Sequence, residues 1–316
     1  MPKRTKPRRG SLEYWPRERA RRIYPRQHFL SSKELKPSGF AAWKAGMTHV
    51  QIVDNDSQSP TYGKTVTKAV TVLDSPPLLV CGLRFYKKTD RLLATGEKWM
   101  EKIPENLTKK VNKQKGSEPK DFDDVRLIVA TQPEKSGMKK KKPETFEIPV
   151  GGDDIKGRVD YCGSLLGKEI AARDILKPGE FVDVSAVTKG HGFTGPVKRF
   201  GIRIQRRKDQ QMHRHVGSIG STVPRKIDWR VPQSGQYGFF TRTEISKKIL
   251  MVDEDPKRVN PKGGFLGYGL LNSFIMIEGS IPGPRKRLIR LRKASRKKKI
   301  ETVEIKSISL DSKQGI

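Results

Sequence analysis

Residues 181–201 read FVDVSAVTKGHGFTGPVKRFG, and this stretch changes character halfway along. Its first seven residues follow the turn KPGE at 177–180 and alternate imperfectly, Phe181, Asp183 and Ser185 against Val182, Val184 and Ala186, so they read as a strand. Gly190, Gly192 and Gly195 then spell GxGxxG, which after a strand is two parts of a dinucleotide-binding fingerprint. The third part, a helix opening on the phosphates, is not expected, because Pro196 leads through VKRFG into alternating Ile202 and Ile204. Asp209 stands at roughly the distance of a ribose carboxylate but in a polar stretch without a strand.

Other catalytic or metal readings of the neighbourhood fail on their chemistry. His191, His213 and His215 have no cysteine partner and lie among Arg206, Arg207, Lys208 and Arg214, where a metal cation is disfavoured. Ser218 and Ser221 belong to a glycine-rich turn without a nucleophile elbow. Gly63, Lys64 and Thr65 imitate the end of a phosphate loop, yet position 58 is Gln where the earlier glycine belongs. Cys81 and Cys162 are far apart and read as small core residues.

What remains is charge. The 316 residues carry 66 Lys and Arg against 34 Asp and Glu, a formal +32, well beyond what solubility needs, so a polyanionic partner is implied. The excess is localised: 12 basic and 3 acidic residues over 1–36, 14 and 3 over 189–248, and 10 and none over 285–299. Residues 121–188 hold 11 basic and 13 acidic residues, so the middle reads as fold and these segments as footprint. A membrane partner is disfavoured, since no apolar run approaches the roughly 20 residues of a spanning helix and the basic stretches lack an amphipathic period. The start MPKRTKPRRG has no apolar region behind its charges, so no secretory signal is expected and the sequons at Asn55 and Asn106 read as idle. Nucleic acid is the fitting partner. A DNA reader would need a groove-entering helix, whereas these basic runs carry glycine and proline.

Along the chain, residues 1–36 mix Arg and Pro with Tyr14, Trp15 and Tyr24 and show no apolar period, so they read as an extended basic arm ordered by its partner. Residues 48–53, 69–73 and 78–85 read as strands of a barrel or sandwich. Residues 92–111 have a moderate helical period broken at Pro104, 125–131 form a buried strand, and 139–142 a solvated loop tip. A helix is expected from Asp153 or Asp154 as N-cap, with Ile155, Val159, Cys162, Leu165 and Leu166 on one face and Gly167 as its stop. NSFIMIEG at 272–279 reads as a strand. RLIRLR at 287–292 is either a core edge or an RNA-facing strand. Residues 201–236 hold too few large apolar residues for a core of their own and should be held by RNA.

Four motifs carry a family resemblance: FVDVSAVTKGHGFTGPVKRFG, HRHVGSIGS at 213–221, SGQYG at 234–238 with RTE at 242–244, and GFAAWKAGMTH at 39–49. Together they resemble ribosomal protein L-three of the large subunit over essentially the whole length. RRGSLEYWPRERA and the long 121–188 region are similar to its archaeal and eukaryotic branch. The resemblance implies a mainly β fold with an α+β insertion: a translation-protein-like β-barrel over 37–85 and 178–300, the insertion over 86–177, and a C-terminal tail over 301–316. A basic N-terminal arm covers 1–36, and a long loop projects over 200–236 and penetrates rRNA.

It also implies a non-enzymatic constituent of cytoplasmic ribosomes. Such a protein binds 23S rRNA near its 3′ end beside neighbouring ribosomal proteins, acts early in subunit assembly and supports the peptidyl transferase centre. No cofactor, small-molecule substrate or membrane is expected; structural Mg2+ or K+ bridging to rRNA is compatible with it. The residues expected on RNA are Arg8, Arg9, Arg17, Arg19, Arg21 and Arg22 in the arm, with Lys189, His191, Phe193, Lys198, Arg199 and Arg203 at the start of the loop. Arg206, Arg207, Lys208, His213, Arg214, His215, Ser221 and Thr222 continue the set, and Arg225, Lys226, Trp229, Gln236 and Arg242 complete it. Thr222 stands where the eukaryotic branch has a loop-tip tryptophan, and Gln210 near its methylated histidine, so neither feature is expected here.

Overall fold

The structure, a computed structural model, describes residues 7–29, 32–102, 104–108, 119, 121–209, 211–223, 225–296 and 300–311. Gln210 lies outside them. The chain divides into two compact units: one runs to Ile23 and resumes over Val187–Arg242, the other comprises Tyr24–Ala186 and Thr243–Ile316. With 38% strand against 11% helix, the fold is mainly β.

In chain order the elements are β1 (Gly39–Val53), β2 (Thr65–Asp74), β3 (Leu78–Lys88), β4 (Leu92–Trp99), α1 (Glu105–Thr108), β5 (Asp124–Ala130), β6 (Thr145–Pro149), α2 (Ile155–Leu165), β7 (Glu169–Ile170) and α3 (Ala172–Ile175). There follow β8 (Phe181–Val187), β9 (Gly190–Thr194), α4 (Pro196–Phe200), β10 (Gly235–Gly238), β11 (Thr241–Asp253), β12 (Phe274–Glu278), β13 (Leu288–Lys293) and β14 (Glu304–Ile308).

The larger unit is organised by a seven-stranded sheet in the order β13-β8-β11-β12-β2-β1-β14, and β13 also pairs with β1, so the hydrogen-bonded path returns on itself. Its strands run antiparallel, with Ala41 opposite Arg290, Thr48 opposite Val70 and Met276 opposite Val72. The inward side chains, among them Trp43, Leu73, Ile249, Phe274 and Ile289, are almost fully buried. β1 begins nine residues before the expected strand at 48–53. Its first half, GFAAWKAG, is poor in β-branched residues because space rather than propensity decides there. A Cβ at Gly39 would lie 2.5 Å from the Phe29 ring and 2.7 Å from the Leu291 carbonyl, and one at Gly46 would lie 2.6 Å from Phe265. β13 is core: Leu288, Ile289 and Leu291 are buried, and so is Arg290, which settles the two readings of RLIRLR. β14 comes from the segment expected as a tail and pairs with β1.

A second sheet has the order β4-β3-β5-β6, with β7 on β3. The helical expectation for 92–111 is overturned at its start. Residues 92–99 form β4, because pairing with β3 from Lys88 opposite Leu92 to Gly82 opposite Trp99 outweighs a weak amphipathic period. Behind Pro104 only the four residues of α1 are helical, and 109–118 lie outside the described residues. α2 is capped as expected: the Asp154 carboxylate accepts from the backbone N–H of Lys156 at 3.2 Å and of Gly157 at 3.1 Å, and Gly167 follows with φ 78°. Cys81 and Cys162 are buried thiols, each pushed up to about 12 by burial.

Candidate nucleic-acid interface

The smaller unit is built on a two-stranded ribbon in which Phe193 of β9 pairs with Gln236 of β10, and Gly190 with Gly238. Gly238 adopts φ 70°, and a Cβ there would lie 2.0 Å from the Lys189 carbonyl oxygen. Only glycine permits that approach. The GxGxxG glycines therefore belong to a paired ribbon, two of them within β9, and not to a phosphate-cradling loop. One expectation is corrected: a helix does follow them. α4 forms because Pro196 is pre-set for its first turn and Gly201, at φ 65°, ends it in the left-handed conformation. At five residues it is little more than one turn.

The ribbon presents aromatic rings outward. Phe193 is 79% exposed, and the His191 and Tyr237 rings stack with centroids 5.1 Å apart and planes at 21°. Gln236 is half-buried and donates from Nε2 to the Gly238 carbonyl at 2.9 Å. Lys189 and Lys198 are exposed.

Between α4 and β10, residues 201–234 contain, where described, no strand and one three-residue turn of helix, Arg207–Asp209. Their apolar side chains find no core: Ile204, Met212, Ile219, Val223, Ile227 and Trp229 are all exposed. Arg203, Arg206, Arg207, Lys208, Arg214, His215, Ser221, Thr222, Arg225 and Lys226 are exposed as well. His213 is half-buried, its Nδ1–H donating to the Arg206 carbonyl at 2.8 Å, while Gln205 N–H donates to the His213 carbonyl at 2.9 Å. That histidine ties the loop to itself. Among the described residues, no group of three His, Cys, Asp or Glu side chains is placed to hold a metal.

The described N-terminal residues of this unit, from Pro7 onward, are not a free arm. Ala20 N–H donates to the Phe239 carbonyl at 2.8 Å, and Arg8 donates to the Arg230 carbonyl at 2.6 Å. Their aromatics are engaged within the unit: Trp15 meets Trp229 edge-on at 4.9 Å, and Arg17 lies 4.7 Å over both Trp15 and Phe200. Arg242 lies 4.5 Å over Tyr14 and 4.9 Å over Phe240, and Arg19 lies 5.1 Å over Phe239. Arg199 donates to the Gln236 carbonyl at 3.0 Å and the Gln233 carbonyl at 2.8 Å. Arg9, Arg21 and Arg22 are exposed. Trp15, Tyr14 and Phe200 were not singled out as site residues in the sequence, although the spacing of Trp15 and Arg17 in YWPRERA offered a signal.

Every residue expected on RNA thus falls in this one unit, within Met1–Ile23 or Val187–Arg242. Among the described residues, cations and open rings gather on a ribbon and loop without a core of their own, whereas the larger unit is a β fold that holds its own. The chain matches the family described as Ribosomal protein L3 over residues 1–124 and 117–315. It is 44% identical to the large ribosomal subunit protein uL3 of Methanopyrus kandleri, covering 98% of this chain and 92% of that one. To the uL3 proteins of Picrophilus torridus and Methanococcus maripaludis C7 it is 43% and 41% identical, covering 98% or more of both chains in each case. The chain belongs to the ribosomal protein L3 family, whose members are structural components of the large ribosomal subunit and not enzymes.

Proposed function

We propose that this chain binds the 23S rRNA of the large subunit near its 3′ end, takes part in the first steps of subunit assembly and supports the peptidyl transferase centre without doing chemistry. The observation that carries this reading is the 201–234 loop, with exposed Arg206, Arg207 and Lys208 and with apolar side chains that no protein core receives. Burying such a loop takes a partner that neutralises its charge and covers its rings, and packed rRNA supplies phosphates and bases together. On this reading the returning strand path of the larger unit is a translation-protein-like barrel over 37–85 and 178–300, with 86–177 inserted into it. Loop residues 200–236 thread into rRNA toward the catalytic centre, the 1–36 segment lies along the RNA surface, and neighbouring large-subunit proteins complete the surroundings.

Replacing Arg206, Arg207 and Lys208 together with alanine tests it. Expected are fewer mature large subunits in cells and unchanged thermal unfolding of the isolated chain, since these side chains hold nothing in the fold. Normal subunit yield with the variant incorporated would count against the loop's role.

A further inference from the structure

Arg17 and Arg199 lie over the same Phe200 ring, and Arg8 and Arg242 are close enough for their charges to act on Arg17 as well. Burial, then the fields of Arg199, Arg242 and Arg8, push the Arg17 guanidinium down from its ordinary value. Burial likewise lowers Arg199, and lowers Arg242 against the opposing field of Tyr14; among the described residues none of the four arginines forms an ion pair with a carboxylate. Like charges held close together without an ion-pair partner among the described residues repel one another and are stabilised by an anion.

The stacking decides which part of that anion is recognised. Arg17 lies over Trp15 and Phe200, Arg242 over Tyr14 and Phe240, and Arg199 5.0 Å over Phe200. Guanidiniums that rest on rings of their own chain have little face left for a nucleobase; they recognise a ligand by the N–H groups in their plane, the geometry that fits phosphate oxygens. Carbonyls fix these planes: Arg8 donates to Arg230, Arg17 to Ser11 at 3.0 Å and Arg242 to Thr241 at 2.9 Å. Two donors are left over. Arg17 Nη1 and Trp15 Nε1 are shielded from solvent and have no hydrogen-bond partner, an unfavourable state that an entering acceptor relieves.

We propose that this cluster seats a phosphodiester of an RNA backbone, its oxygens accepting from the in-plane N–H groups of the arginines and, after a small shift of residues 8–17, from Trp15 Nε1. The proposal rests on the reading above that the polyanion is RNA. Arg8 is exposed and the other three arginines are half-buried, so their outer edges are accessible. The site is distinct in kind from Phe193, whose open ring suits a base.

The test uses the full chain with 15N-labelled tryptophan, titrated with inorganic phosphate, acetate or chloride at one ionic strength. Of its four indoles, at Trp15, Trp43, Trp99 and Trp229, the Trp15 resonance, assigned by its loss in Trp15→Phe, should shift and saturate with phosphate. Trp43, enclosed in the core of the larger unit, should not move. Arg17→Lys keeps the charge but loses the planar fork, and should weaken the phosphate response about fivefold or more with Trp43 and Trp99 unchanged. A Trp15 response no larger with phosphate than with chloride overturns the proposal. Equal saturation by acetate overturns it in favour of a carboxylate partner. Either failure leaves incorporation into subunits untouched, so the two readings fall separately.

Discussion

Asp183 and Arg292 form a two-pronged pair across β8 and β13, with Asp183 Oδ2 accepting from Arg292 Nε at 3.1 Å and Nη2 at 3.0 Å. The carboxylate is fully enclosed and also accepts from the backbone N–H of Ser246 and of Ser295, each at 3.0 Å. One side chain thus joins β8, the bend of β11 at Ser246, where φ is 56°, and the exit of β13. Burial raises the Asp183 carboxyl, but the hydrogen bonds from Ser246, Ser295 and Arg292 outweigh it, and the group ends below its ordinary value of 3.8.

Asp183→Ala should cost about 3–5 kcal/mol in denaturant unfolding, because it strands a paired cation and two backbone donors. Since the folded value is depressed, this stabilisation is present above pH 3.8 and is lost as pH falls through the folded value. The variant should therefore lack part of the acid limb of the stability curve. A loss below about 1 kcal/mol would show that the node is redundant.

Asp74 carries the opposite sign. Burial raises it to about 6, although Tyr268 donates to its Oδ2 at 2.6 Å and the backbone N–H groups of Gly137 and Ser75 lower it. From pH 3.8 to about 6 the folded chain holds the proton more tightly, so stability should fall by on the order of 3 kcal/mol as pH rises through that window and level off above it. Asp74→Asn stays neutral and can still accept from Tyr268, so its curve should lack that fall. Curves for the two proteins running parallel between pH 4 and 6 would refute the assignment.

Phe193→Ala separates binding from folding. At 79% exposure the ring contributes little to the fold, and unfolding should change by less than about 0.5 kcal/mol. If a base stacks on it, affinity for a large-subunit rRNA fragment should drop by about 1–3 kcal/mol, read by filter binding at fixed salt. Equal affinity for both proteins would remove Phe193 from the interface.

How far the sequence reached depended on which force shaped each element. β8 and β12 were legible because burial and local β preference agree in FVDVSAV and FIMIE, and α2 because Asp154 and Gly167 mark its ends. β4 was not, since LLATGEKW is placed by the strand it pairs with rather than by its own period. The early half of β1 was hidden by alanines and glycines that answer to Phe29 and Phe265. The charge count located the loop and the N-terminal residues but misjudged part of 285–299. Arg290 there is a core residue, 4% exposed, lying 4.3 Å over Phe146 and donating to the Glu147 carbonyl at 2.9 Å, with burial bringing it down to about 10. Composition counts a cation without seeing where it points. For the same reason the N-terminal segment read as an extended arm ordered by its partner, when Tyr14, Trp15, Arg17 and Arg19 stack within their own unit.

The measurement that bears most directly on the central claim is sedimentation of large subunits before and after a high-salt wash, with the chain quantified in pellet and supernatant. Basic proteins held only by surface phosphates are released as salt rises, whereas a loop packed inside rRNA is retained by contacts that salt does not screen. Retention of the chain in the salt-washed large subunit is the predicted result. Its release with the peripheral proteins, or its absence from large subunits altogether, would contradict the account.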